Sequence, residues 1–139
     1  MNNLKECLSI DQMEYLQKHG INIDCGSAII YKISENPVYC GYSRNIVVVD
    51  SYINNYLDQY PSFTLQDILQ LLPKQIVDTY NGYRLTIEFP YNEFWVGYTH
   101  YETREILKGC YGDSLIDATY KMLCWCIENG YVKQKQRII

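Results

Sequence analysis

Residues 83–89 read YRLTIEF, so that Tyr83, Leu85, Ile87 and Phe89 alternate with Arg84, Thr86 and Glu88. This run limits the possible folds more than any other. Successive side chains of a strand leave on opposite faces, so an apolar period of two describes a half-buried strand and is incompatible with an amphipathic helix. The residues after it continue the pattern. Pro90–Asn92 is turn material. Phe94–Tyr101 carries large residues on both faces, and a further strand follows the YETRE segment, around Glu105–Cys110. Residues 82–110 therefore predict a three-stranded antiparallel meander.

Two helices are expected to flank it. Thr64 has an N-cap side chain, Asp67 stands at the third helical position, and Leu65, Ile68, Leu69 and Leu72 form one stripe before Pro73. That spacing predicts a helix over 65–72. Asp113 or Ser114 caps a second helix over 115–129, with Asp117 at the third helical position if Ser114 is the cap, and Gly130 closes it. The N-terminal half is less regular. Ser9 and Gln12 form a capping-box pair, Ile10, Met13 and Leu16 recur at helical spacing, and Gly20 follows, which predicts a helix over 10–19. Short strands are expected across 27–50: SAIIYKI, VYCGY, and the unbroken Ile46–Val49 run, which could instead lead into a helix through YINNYLDQY. KQKQRII at 133–139 is a short basic tail.

The expected fold is therefore one α+β domain over 1–139, an antiparallel sheet with two or three helices packed mainly on one face. At 139 residues with 47% hydrophobic and 20% charged side chains, a chain can bury its core without a metal or disulfide staple. The start, MNNLKECLSI, lacks the basic and apolar regions of a leader, and no run is long enough for a transmembrane helix, so a cytoplasmic location is expected. Its six cysteines are then expected as reduced thiols.

Cys124-Trp125-Cys126 asks whether the last helix carries a metal or redox site. Two positions subtend about 200° on a helix, so the thiols point to nearly opposite sides and do not chelate one ion. Cys126 is expected in the core beside Leu115, Ala118, Thr119, Met122 and Leu123, with Cys124 at a boundary. No metal and no cofactor is called for. His19 ends the first helix, where an imidazolium complements the dipole. His100 with Cys110 and a carboxylate would be a nucleophilic constellation if the fold brought them together. No GxSxG, HExxH or P-loop pattern occurs.

Residues 64–133 read helix, three strands, helix, an order that resembles a double-stranded-RNA-binding domain. The start of the last helix is GDSLID, where such a domain needs basic side chains, and the chain carries a formal net charge of -4. Nucleic acid is therefore a disfavoured partner.

FTLQDILQLLPK and GDSLIDATYKMLCWCIENGYV together resemble a pattern in small uncharacterised proteins of gut anaerobic bacteria and their prophages or mobile elements. The resemblance covers about half of the chain and carries no assigned activity or site residue. It implies an accessory or interaction role in a bacterial or phage setting. The chain is also rich in tyrosine, with 15, a residue suited to half-wet sheet faces and interfaces. The leading expectation is thus a non-catalytic interaction protein that contacts an unknown protein partner or itself through Phe94, Trp95, Tyr98 and Trp125. A nucleic-acid module and a small enzyme using His100 and Cys110 are the alternatives.

Overall fold

The structure is a computed structural model that describes residues 7–33, 36–42 and 58–132, with residues 31–33, 36–42 and 58 described by backbone alone. The elements are α1 (Ile10–Lys18), a 3-10 turn at Ile23–Cys25, β1 (Ala28–Ile33), β2 (Asn36–Tyr42), β3 (Asp58–Ser62), α2 (Leu65–Leu71), β4 (Gln75–Asp78), β5 (Asn81–Glu88), β6 (Phe94–His100), β7 (Ile106–Gly112) and α3 (Leu115–Glu128). The fold is α+β. The expected strand at Ile46–Val49 and the basic tail lie outside the described residues.

Local chemistry sets the helix ends. Ser9 Oγ accepts the Gln12 N–H at 3.2 Å and Gln12 Oε1 accepts the Ser9 N–H at 2.9 Å, a complete capping box. Thr64 and Asp67 repeat the device on α2. Gly20 and Gly130, just past α1 and α3, take φ of 88° and 77°, the left-handed region expected of them. Leu72, the residue before Pro73, is already extended, so α2 ends at Leu71, one residue short of the expected bound, as the proline requires.

There are two sheets where one was expected. β2-β1-β3 forms a three-stranded antiparallel sheet, and β4-β5-β6-β7 a four-stranded one. β3 takes up Asp58–Tyr60, residues within the stretch that reads as a possible helix, and holds Pro61 on an edge strand, where no donor is missed. β4 adds a strand between α2 and the meander. The order from α2 onward is therefore helix, four strands, helix, and departs from the RNA-binding-domain order.

The helices α2 and α3 cover one face of the larger sheet. From α3, Ile116, Ala118, Thr119, Met122, Leu123, Cys126 and Ile127 are buried, and Val96 and Tyr98 of β6 meet them from below. Phe63, Leu8, Leu16 and Ile68 are fully buried in the same core, each contributing about 1.5–3 kcal/mol before ordering entropy is subtracted. Tyr83, Leu85 and Ile87 face this core as the alternation predicts. Phe89 does not: β5 ends at Glu88, and Phe89 is 60% exposed with its ring against Phe94 at 5.4 Å. α1 joins α3 through Tyr15, whose hydroxyl donates to Glu128 at 2.7 Å, and through Gln12, which donates to Asp117 at 3.3 Å. The Glu128 bond, with burial behind it, pushes the Tyr15 phenol up to about 12.

One expectation about the cysteines needs correction. Cys7 is disulfide-bonded and sits in a small second core with Ala28 and Ile30. A scattered set of cysteines gives no sequence signal for a pairing, because connectivity is decided by tertiary contact. Cys25, Cys110, Cys124 and Cys126 are free.

Candidate functional site

The face of the four-stranded sheet turned away from the helices is open. Pairing registers place Arg84 opposite Thr99, Thr86 opposite Gly97, and Glu88 opposite Trp95, and on the other side Trp95 opposite Tyr111 and Gly97 opposite Gly109. These residues alternate with the core-facing set, so they share the open face. Along it runs a cleft of about 480 Å³ that reaches from Pro90, beyond β5, to Arg104 in the β6–β7 turn.

Trp95 is its floor. The indole lies across two glycines, and a Cβ on either Gly97 or Gly109 would collide with the ring. Glycine within a strand commonly marks such a close approach, so Gly97 and Gly109 were the readable signal for this seat. The ring is only 7% exposed although it lies on the face turned away from α2 and α3. Thr86 and Thr99 hydroxyls bond each other across the strands at 2.8 Å. Tyr101 and Tyr111, 58% and 53% exposed, line the cleft, and the Tyr101 ring lies over Gly82. The Arg84 guanidinium stands 5.9 Å from the centroid of that ring, within cation–π range.

The β6–β7 turn is built on His100. Its Nδ1 accepts the backbone N–H groups of Glu102 and Thr103, each at 3.2 Å, while the His100 N–H donates to Glu105 at 2.7 Å and the Arg104 N–H donates to the His100 carbonyl at 3.0 Å. The imidazole is buried against Tyr83, with ring centroids 5.6 Å apart. Its Nδ1 is therefore committed to the turn. Arg104 takes a φ of 62°, a left-handed conformation uncommon outside glycine, which the His100 bonds hold in place.

The other candidate residues fall elsewhere. Tyr98 is fully buried, and its hydroxyl donates to the Pro73 carbonyl at 2.8 Å and accepts from Cys126 Sγ at 3.8 Å, so it is a core residue and not a contact surface. Burial, and then Cys126, raises its phenol. Phe94 is half-buried at the rim of the helix-covered core. Trp125 is half-buried on α3, packed against the same core, with its ring 5.4 Å from Tyr131. It lies on the helical side, apart from the open face. The four residues therefore do not form one patch.

Cys110 pairs with Val96, four residues back along β6 from His100, a separation of about 13 Å at strand spacing. The two do not meet. Burial raises the Cys110 thiol, partly offset by Lys108 and Lys121. Burial likewise raises Cys124, and pushes Cys126 up to about 11. Thiols so protonated are poor nucleophiles at neutral pH. Among the described residues no three of His, Cys, Asp and Glu gather as a metal group, and no helix is long and apolar enough to cross a membrane. His19 caps α1 by donating Nδ1–H to the Tyr15 carbonyl at 2.8 Å and stacks on the Tyr15 ring at 4.1 Å.

Comparison with protein families, with curated proteins and with solved structures found no match.

Proposed function

We propose that this protein is a non-catalytic interaction module that binds a partner on the open face of the β4–β7 sheet. The observation that carries this is the cleft floored by Trp95. Among the described residues, seven of the eight exposed large apolar side chains belong to this sheet or its turns: Val77, Tyr80, Phe89, Tyr91, Tyr101, Ile106 and Tyr111. A helix-covered face and a bare aromatic face on one sheet is the distribution expected of a surface kept for contact. The accessory, phage-like setting rests on the resemblance of residues 63–74 and 112–132 alone. The disulfide at Cys7 weighs against the cytoplasmic expectation, since such bonds persist in oxidising compartments.

The test is a pull-down from a bacterial lysate with and without nuclease treatment, with wild type and an Ile106→Glu/Tyr111→Glu variant as baits. Both positions are exposed, so the variant should fold. A protein captured by wild type and lost with the variant is the expected result. Equal capture by both baits would move the contact off this face. Capture that vanishes with nuclease, or none at all, would count against the interaction reading.

A further inference from the structure

The charge on the open face differs from that of the chain. Arg84 and Arg104 line the cleft with Glu88 as its carboxylate, whereas the whole chain has a formal net charge of -4. The Arg84 guanidinium stands over Tyr101, and the backbone at Arg104 is fixed by the turn that His100 closes. Guanidinium groups recognise carboxylates through paired N–H donors, and preorganised ones lose less freedom in doing so.

The shape narrows the ligand further. The cleft is open along β6, whose seven residues span about 23 Å. A groove of that length, with Trp95 and Tyr111 along its floor and wall, suits an extended chain better than a compact molecule. Beside it β7 is the last strand of the sheet, an edge along which an extended segment can align. Two arginines match one or two carboxylates. They do not match a continuous run of phosphates, which would also meet Glu88 inside the cleft and a net acidic chain around it.

We infer that the open face binds an extended acidic segment of a partner protein, with its carboxylates at Arg84 and Arg104 and an apolar or aromatic side chain against Tyr101 and Tyr111. This rests on the binding-face reading above and names the partner's chemistry.

The probe is a library of random twelve-residue peptides displayed on phage, selected on the full chain. Selected peptides are then measured against wild type and against Arg84→Ser and Arg104→Ser, two exposed positions at which folding should survive. The expected outcome is enrichment of Asp and Glu, affinity that falls with added salt, and a loss of about tenfold in each variant. Enriched peptides without acidic excess that still lose binding on Tyr111→Glu would overturn the acidic assignment and leave the interaction face standing. Acidic peptides indifferent to both arginine variants would also overturn it. No enrichment would overturn the assignment and count against the face itself. A labelled twelve-nucleotide oligo-dT, run in parallel, is expected not to bind; binding lost in the arginine variants would replace the acidic peptide by single-stranded nucleic acid.

Discussion

Trp95 shows how a single residue can be buried on the sheet face turned away from α2 and α3. Its indole is seated on backbone, because Gly97 and Gly109 offer no side chains beneath it. A methyl group at Gly109 would meet the ring first, whereas one at Gly97 would also meet the Lys108 carbonyl oxygen at 2.7 Å. Gly109→Ala should therefore push the indole outward, with a destabilisation of about 1–3 kcal/mol from overpacking. In a Trp125→Phe background, tryptophan emission would shift to the red and acrylamide quenching would rise. An unchanged spectrum would mean that the ring is not held as described. His100 is a second case. Sequence alone offers it as a candidate catalyst, but Nδ1 is occupied by two backbone donors of its own turn, which makes it the residue that closes the β6–β7 turn.

At the scale of elements, the clearest junction is the start of α2. Asp67 accepts from Thr64 N at 2.9 Å, and also from Ser27 N at 2.9 Å and Ser27 Oγ at 2.6 Å, so one carboxylate caps the helix and ties it to the segment before β1. Burial raises its carboxyl, but the Ser27 and Thr64 hydrogen bonds outweigh that and leave it below its ordinary value of 3.8. A depressed carboxyl stabilises the fold fully above its unfolded value and loses that contribution as pH falls through the folded one. Asp67→Asn should cost about 1–2 kcal/mol at neutral pH. The gap between the two urea midpoints should narrow below about pH 4. A gap independent of pH would place the cost in shape rather than charge. The elements were unevenly legible in the sequence. Capped helices and the YRLTIEF alternation announce themselves through local chemistry. β4 does not, because its hairpin turns at Thr79–Tyr80, with Thr79 at a φ of 48°, and neither residue signals a two-residue turn as Asn-Gly would. Phe89 continues the alternation one residue beyond the ladder, so its period is right and its burial is not. Alternation also shows which side chains share a face, but not which face the helices will cover, and that is why Trp95 and Tyr98, close together in sequence, have opposite fates.

In the molecule as a whole, two sheets are joined through α1 and the Leu8–Phe63 region, where Leu8 N–H donates to the Phe63 carbonyl at 3.0 Å and Ser62 Oγ donates to the Leu8 carbonyl at 2.6 Å. Cys7 lies beside this junction, bridged to Thr64 by backbone pairing and fixed by its disulfide. Reduction should therefore lower the melting temperature, with a loss typical of a native disulfide, about 2–4 kcal/mol. Melts with and without a phosphine reductant, alongside thiol titration in denaturant, would check it; reduction confirmed by titration with no change in melting would make the bond structurally idle. The alternation of β6 has a wider consequence. Val96 and Tyr98 hold the core, while Trp95 and Thr99 belong to the open face. On the binding-face reading proposed above, fold and recognition are written on opposite sides of one ribbon, so substitutions at Arg84, Tyr101 and Tyr111 would change the contact while leaving the packed core untouched.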